Sequence, residues 1–197
     1  MENQKKLGIL GGTFDPIHMG HLVLAEQVRE KLQLDQVIFI PCASPPHKTE
    51  EKLSPADARF EMTKLALEGN SYFSVSDIEL KRKGLSFTVD TLRKLKELYK
   101  NSELYFLTGS DVLNEITTWK DPEEIYKLAK IVIGVRPGFD KFEPEDHFVK
   151  KSIMVNITGI DISSTQIREK VRKGESIRYL VPSKVEEYIK KKNLYTK

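Results

Sequence analysis

Short apolar runs alternate with helical patterns along the 197-residue chain, and this alternation limits the possible folds more than any other feature. Runs such as Leu7–Leu10 and Val37–Ile40 have the length of buried strands. Because parallel strands need a crossover between them, usually a helix, this order predicts an α/β fold with a mostly parallel sheet. The expected strands are Leu7–Leu10, Val37–Ile40, Tyr72–Leu80, Leu104–Leu107, Ile131–Val135 and Met154–Ile157.

Capping signals mark where the intervening helices begin and end. Ser54 is expected to cap a helix with Pro55 in its first turn, and Gly174 is expected to end another. We expect one domain over 1–197, with 160–197 as a helical C-terminal subregion packed on it. The expected helices are one from near Met19 to Leu32, one from Pro55 to Gly69, Thr88–Tyr99, one from Asp121 to about Lys130, Ser163–Lys173 and Pro182–Lys192.

Composition and charge narrow the class of protein. No apolar run approaches the roughly 20 residues that span a bilayer, and the first residues do not resemble a secretory signal, so no membrane partner is expected. The single cysteine, Cys42, excludes an internal disulfide and favours a cytoplasmic location. The net charge of +3 gives no indication of nucleic-acid binding, but it is compatible with a small anionic ligand. The sequence leaves the oligomeric state open, a homo-oligomer included.

The stretch GILGGTFDPIHMGHL, at 8–22, begins within the first expected strand, breaks at Gly11-Gly12 and ends in the first expected helix. Gly11 and Gly12 allow the backbone to approach a ligand closely, and the first N–H groups of a helix favour phosphate. The stretch is neither GxGxxG nor GxxxxGK[ST], so the usual dinucleotide fingerprint and the P-loop are both absent. On the glycines alone, a tight turn without a ligand remains an alternative.

Two histidines, His18 and His21, lie three positions apart in the same stretch, on one face of the expected helix start. Paired histidines beside a phosphate-ready turn favour a functional role. Zinc is the rival interpretation, with Asp15 or His47 as a third ligand, but no HExxH or CxxC spacing supports it. No protein metal site is therefore expected.

A second motif, GIDISSTQIR, lies at 159–168. Its serines can cap a helix, and hydroxyls beside free N–H groups suit an anion. Arg168 adds a planar fork that matches phosphate oxygens. An ordinary cap followed by a surface arginine is the alternative.

Together GGTFDPIHMGH and ISSTQIR resemble the HIGH-type nucleotidylyltransferase superfamily, and within it the bacterial nicotinate mononucleotide adenylyltransferases. The resemblance spans most of the chain, with one departure at Phe87, where many relatives have Tyr. It implies a Rossmann-like three-layer fold. Further residues that carry it are Ser44-Pro45-Pro46-His47-Lys48, Ser86-Phe87-Thr88-Val89-Asp90-Thr91-Leu92, Gly109-Ser110-Asp111, Trp119 and Arg136-Pro137-Gly138.

The resemblance implies a reaction that joins ATP to nicotinate mononucleotide and gives deamido-NAD and pyrophosphate. Mg²⁺ is expected to bind through the substrate phosphates rather than in a protein cage. A related family, the phosphopantetheine adenylyltransferases, shares the two motifs but lacks the SPPHK loop, Trp119 and SFTVDTL. A non-catalytic nucleotide sensor is a further alternative, disfavoured by the intact histidine pair.

The resemblance also implies roles for individual residues. His18, His21 and Arg168 would be catalytic, with Gly134 and Arg136 near the adenine. Trp119 would stack on the nicotinate ring, although a core aromatic is the alternative. The implied ATP-binding residues are Gly11, Gly12, Thr13, Phe14, His18, His21, Arg136, Ser163, Ser164, Thr165 and Arg168, and those for nicotinate mononucleotide are Gly12, Thr13, His47, Lys48, Thr88, Gly109, Asp111 and Trp119.

Overall fold

The structure is a computed structural model, and it describes residues 4–45, 53–82, 84–110, 118–138 and 147–196. Strands and helices alternate along these residues. The strands are β1 Lys5–Gly12, β2 Gln36–Pro41, β3 Phe73–Val75, β4 Ser102–Gly109, β5 Lys130–Val135 and β6 Ile153–Asn156. The helices are α1 Met19–Leu32, α2 Ala56–Leu67, α3 Thr88–Leu98, α4 Pro122–Leu128, α5 His147–Lys150, α6 Ser164–Arg172 and α7 Ser183–Lys191.

The strands form one six-stranded sheet in the order β3-β2-β1-β4-β5-β6. Every neighbouring pair runs parallel. This is the strand order of the doubly wound, Rossmann-like fold, in which the order reverses between β1 and β4. The predicted α/β class and parallel sheet are confirmed.

Helices cover both faces of the sheet, because successive strand side chains point to opposite sides. On β2, Val37 and Phe39 enter a core with α1, α2, α6 and α7, whereas Ile38 and Ile40 enter a second core with α3 and α4. Ile167 of α6 is fully buried in the first of these cores. The expected three-layer arrangement is therefore present.

A glycine lets α1 approach the sheet closely. A Cβ added at Gly134 in β5 would lie 2.3 Å from Cδ1 of Leu24 in α1 and 3.1 Å from Cδ1 of Ile157. A side chain there would push α1 away from the sheet. Gly134 therefore lets α1 pack closely on the sheet.

The predicted strand Tyr72–Leu80 is wrong beyond its first residues, since β3 ends at Val75. Phe73 and Val75 pack on the first core, whereas Ile78 packs on the second. The chain therefore passes around the edge of the sheet after β3, and the Ser76 hydroxyl accepts the Ile78 N–H in the resulting turn. Alternation in the sequence resembles a strand here although the chain turns.

One helix boundary and one additional short helix also differ from the sequence expectation. Pro55, not Ser54, occupies the cap position of α2. The short helix α5 had no sequence signal. Within the described residues, no helix is both long enough and apolar enough to cross a bilayer.

Candidate active site

The first glycine–histidine motif lies where the strand order reverses. Gly12 ends β1 and Gly109 ends the neighbouring strand β4. In open parallel sheets, ligands bind outside the carboxyl ends of the strands at this point. The fold therefore places the motif where a ligand site is expected.

His18 and His21 form a joined pair at the start of α1. His18 is the N-cap residue, and its backbone N–H donates a hydrogen bond to Nδ1 of His21 at 3.2 Å. The two rings stack with centroids 3.7 Å apart, and the edge of Phe14 packs against His21. The N-cap geometry thus brings both imidazoles to one place, as predicted.

Both imidazoles are held neutral by burial. Desolvation, with the nearby charge of Arg136, lowers the pKa of His18 to about 4, and desolvation lowers the pKa of His21 well below 6.5. The side-chain nitrogen Nδ1 of His18 is buried and has no hydrogen-bond partner among the described residues. At pH 7 the pair therefore offers uncharged N–H donors rather than cations.

Gly12 is required by the packing of the turn. A Cβ at Gly12 would lie 2.7 Å from Cε1 of Phe14, whose ring is almost completely buried. Phe14 itself has a φ of 51°, in the left-handed region. The glycine therefore lets the buried ring fold beneath the end of β1, while Gly11 and Thr13 line an adjacent cavity.

The second motif docks directly onto the first. Ser163 caps α6 by accepting the Gln166 N–H at 3.1 Å. The Ser164 hydroxyl donates to the carbonyl of Pro16 at 2.8 Å. Arg168 donates from Nη1 to the carbonyl of Asp15 at 2.9 Å and from Nη2 to the Thr165 hydroxyl at 3.3 Å. The helix start, its hydroxyls and the guanidinium thus meet the glycine–histidine turn.

Asp15 holds that turn in place. It is only 2 % exposed, and its Oδ2 accepts the Ser54 N–H at 3.1 Å. Its Oδ1 accepts the hydroxyl of Tyr195 at 2.6 Å. Both carboxylate oxygens are therefore engaged by protein donors.

A cavity of about 320 Å³ opens beside the glycine turn. It is formed by the carboxyl ends of β1, β2 and β4 together with the start of α3. Trp119 is half-buried in its wall and makes an edge-to-face contact with Phe106 at 5.7 Å between ring centroids. The lining residues are Ile9, Gly11, Gly12, Thr13, Ile40, Cys42, Pro45, Glu79, Ser86, Phe87, Thr88, Thr91, Phe106, Thr108, Trp119, Lys120 and Ile125.

Polar residues for which no binding role was predicted also line this cavity, among them Cys42, Glu79, Thr91 and Lys120. The Thr91 hydroxyl donates to the buried carboxylate of Glu79 at 2.6 Å and accepts from Arg82 at 3.1 Å. Burial and the charge of Glu79 raise the pKa of the Cys42 thiol to about 11, so it stays protonated at neutral pH. Lys120 follows Trp119 directly in the sequence and lies over the Phe87 ring at 4.7 Å.

Arg59 was also missed, although it organises two loops of the site. The residue is 1 % exposed, and its guanidinium donates to the carbonyls of Thr13 at 2.8 Å, Cys42 at 2.5 Å, Ala43 at 3.2 Å and Ser54 at 3.0 Å. It ties the glycine turn to the loop after β2. A single arginine within a helix gives no sequence signal for such a role.

The structure describes some of the remaining expected site residues and not others. Arg136 lies close enough to His18 to lower its pKa. Gly109 pairs with Gly134 in the sheet, and its neighbour Thr108 lines the cavity instead. His47, Lys48 and Asp111 lie outside the described residues.

Within the described ranges, no three His, Cys, Asp or Glu side chains are grouped to hold a metal ion. The zinc alternative required a third ligand from Asp15 or His47. The oxygens of Asp15 already accept hydrogen bonds from Ser54 and Tyr195.

A family match and the similarity to individual relatives point to the same group of proteins. Residues 9–170 match the cytidylyltransferase-like family. The chain is 46% identical over 200 residues to the probable nicotinate-nucleotide adenylyltransferase of Desulfitobacterium hafniense strain Y51, covering 97% of this chain and 96% of the relative. It is 44% identical over 205 residues to that of Thermoanaerobacter sp. strain X514, covering 100% of this chain and 97% of the relative.

Solved structures agree with the sequence relatives. Plasmodium falciparum nicotinic acid mononucleotide adenylyltransferase complexed with NaAD superposes with a TM-score of 0.81 at 25% identity, covering 98% of each chain. The same protein complexed with APC gives a TM-score of 0.79 with the same identity and coverage.

Proposed function

We propose a reaction for this chain from one premise: it belongs to the cytidylyltransferase-like family, and within that family it is a nicotinate-nucleotide adenylyltransferase. It transfers the adenylyl group of ATP to nicotinate mononucleotide and gives deamido-NAD and pyrophosphate. The resemblance inferred from the two motifs is confirmed by these relatives. The observation that carries the proposal is the meeting of the histidine pair and the Arg168 helix beside a cavity that contains Trp119.

The attacking group is a phosphate, so the reaction is expected to need no general base. An oxygen of the mononucleotide 5′-phosphate attacks the α-phosphorus of ATP, and the bond to the departing pyrophosphate breaks. A phosphate is already ionised at pH 7. The difficulty is repulsion, since two unit charges 4 Å apart repel by about 4 kcal/mol at an effective dielectric constant of 20. The protein must therefore supply donors where charge develops.

We assign the ATP phosphates to the side of the site formed by the two docked motifs. Nδ1 of His21 accepts a hydrogen bond, so the neutral ring carries its proton on Nε2 and can donate it. Two of the five N–H donors of Arg168 are taken by Asp15 and Thr165, and the others would bind phosphate oxygens. The start of α6 adds backbone N–H groups for the β- and γ-phosphates. Neutral donors from the histidines and positive charge from Arg168 and Arg136 thus complement one another.

We assign nicotinate mononucleotide to the 320 Å³ cavity. Trp119 would stack on the nicotinate ring, and its half-buried position in the cavity wall supports this role over a purely structural one. Thr88 begins α3 and lines the cavity, so its backbone N–H has no partner within the helix, and such donors would favour a carboxylate over an amide. The ammonium group of Lys120 would reinforce that preference.

Three residues proposed to bind nicotinate mononucleotide, His47, Lys48 and Asp111, are assigned from the motif resemblance alone.

We also propose Mg²⁺ as the ion that accompanies ATP. When bound, it would neutralise part of the charge of the phosphates. The Asp15 carboxylate in the first motif is fully engaged by Ser54 and Tyr195, which supports binding of the ion through substrate phosphates. The need for ATP and the single cysteine support a cytoplasmic location.

Pyrophosphate release tests the reaction directly. The protein is mixed with Mg²⁺-ATP and, separately, nicotinate mononucleotide, nicotinamide mononucleotide or phosphopantetheine. Release that is fastest with nicotinate mononucleotide supports the proposal. Release with phosphopantetheine alone would replace it with the related family, and ATP binding without release would indicate a sensor.

A further inference from the structure

The segment that follows α7 returns to the glycine–histidine turn. The hydroxyl of Tyr195 donates to Oδ1 of Asp15 at 2.6 Å across a sequence separation of 180 residues. This distance is typical of a hydroxyl bound to an ionised carboxylate, a bond about twice as strong as a neutral one. A distant part of the chain therefore contacts the residue that lies between the two motifs.

Each oxygen of the Asp15 carboxylate is held by a protein donor. It is 2 % exposed, and its second carboxylate oxygen accepts the Ser54 N–H. A buried carboxylate without such partners is strongly disfavoured, so each donor is needed to keep the group in its place. Removing the Tyr195 hydroxyl would leave one oxygen unsatisfied and free the side chain to move.

The backbone of Asp15 is part of the phosphate side of the site. Its carbonyl accepts the guanidinium of Arg168, and the next carbonyl, of Pro16, accepts the Ser164 hydroxyl. His18 follows two residues after Pro16 and caps α1. A shift of Asp15 would therefore displace both the helix that carries Arg168 and the histidine pair.

Tyr195 is itself firmly placed. Its side chain is half-buried, packs on the first core and lies 3.9 Å from the sulfur of the fully buried Met62. Its φ of 65° lies in the left-handed region, which residues with a side chain seldom adopt. Burial and the neighbouring Asp15 raise the pKa of its hydroxyl, which therefore stays a donor throughout the working range of pH.

We propose that Tyr195 is a positioning residue for adenylyl transfer: its hydroxyl fixes the Asp15 carboxylate and, through it, the turn that carries His18 and meets Arg168. Tyr195 does not touch the reacting atoms and acts through Asp15. The inference rests on the proposed function for its kinetic test, but the contacts themselves do not depend on the identity of the acceptor.

The test compares Tyr195→Phe, Asp15→Asn and the double variant with Tyr188→Phe as the matched control. Tyr188 is half-buried on the same core, and its hydroxyl makes no hydrogen bond to a described residue. We expect Tyr195→Phe to lower kcat about tenfold or more, because small misplacements of catalytic groups are costly. KM for nicotinate mononucleotide should change less than about twofold, since the cavity is not disturbed.

The double variant decides whether the two residues act as one unit. If they do, it is no slower than Asp15→Asn alone, because removing the hydroxyl then changes nothing further. A purely structural role would lower Tm but leave kcat of the folded protein unchanged. The proposal would be overturned by that result, seen as a kcat for Tyr195→Phe equal to that of Tyr188→Phe. It would also be overturned if the loss of kcat in the double variant were the product of the two single losses.

The same assay separates this inference from the reaction itself. If the wild type released pyrophosphate with no acceptor, the proposed function would fall while Tyr195 could still be judged. Affinity for Mg²⁺-ATP, measured by calorimetry, would then decide: about threefold weaker binding in Tyr195→Phe would support the positioning role. An affinity equal to that of Tyr188→Phe would overturn it.

Discussion

The backbone N–H of His18 donates to Nδ1 of His21 at 3.2 Å, and the two imidazole rings stack with their centroids 3.7 Å apart. This single bond both caps helix α1 and selects the tautomer of His21, because an accepting Nδ1 leaves the proton on Nε2. Since burial holds both pKa values low, the pair meets an incoming triphosphate as neutral donors. The geometry therefore favours stabilisation of charge on the reacting phosphates over acid–base catalysis.

Replacing His18 with alanine removes one of these donors. We expect kcat to fall by about 10²-fold or more, by analogy with the loss of a donor from an oxyanion hole. Steady-state pyrophosphate release by the folded variant measures this loss. His147→Ala, at an exposed site on α5, is the control and should retain full activity. A kcat for His18→Ala equal to that of the control would remove His18 from the catalytic role.

The low pKa of His18 also predicts acid sensitivity of the fold. The folded pKa is about 4 against an ordinary value of 6.5, so between these values the unfolded chain binds a proton that the native state excludes. Stability should therefore decrease as the pH falls from about 6.5 to about 4, by about 3 kcal/mol for His18 alone.

Urea unfolding between pH 7 and pH 4 checks this dependence. His18→Gln, which cannot titrate, should show a shallower loss of stability than the wild type. His147→Gln, at a mostly exposed position, is the matched control for the loss of one histidine. Identical slopes for wild type and His18→Gln would show that His18 titrates normally in the folded protein.

Local patterns were sufficient for the parallel sheet and for both motifs. The glycine turn, the start of α1 at Met19 and the serine cap of α6 are each encoded within a few neighbouring residues. Local patterns failed at β3, where alternation continued beyond Val75 although the chain turns around the edge of the sheet.

The supporting network of the site could not be read from the sequence. Arg59 contacts Thr13 across 46 positions, and Tyr195 contacts Asp15 across 180. Both residues have an ordinary local context, and their role exists only once the fold brings the loops together. Cap, strand and turn signals act over a few residues, whereas the partners of a buried charge are set by tertiary packing.

Trp119 distinguishes the acceptor cavity from the ATP side. Trp119→Ala should raise KM for nicotinate mononucleotide about tenfold, since stacking of a ring on an aromatic side chain contributes on the order of 1–3 kcal/mol. The affinity for ATP should change much less. Steady-state kinetics measures the KM, calorimetry measures the affinity for each ligand, and Tyr179→Ala, at a highly exposed aromatic, is the control. Equal weakening of both ligands, or loss of folding, would assign Trp119 to the core instead.

Arg59→Lys tests whether the buried guanidinium holds the two loops together. Lysine keeps the charge but lacks the planar fork, so it cannot satisfy the carbonyls of Thr13, Cys42, Ala43 and Ser54 at once. Each buried carbonyl left without a donor costs about 1–3 kcal/mol, and we expect a total loss of about 3 kcal/mol or more in the free energy of unfolding. Urea unfolding measures this loss.

Arg93→Lys is the matched control, because Arg93 also binds several acceptors but at the surface, where salt and water weaken ion pairs. If Arg59→Lys proved no more destabilising than Arg93→Lys, water would have to satisfy those carbonyls, and Arg59 would not be what holds the glycine turn against the loop after β2.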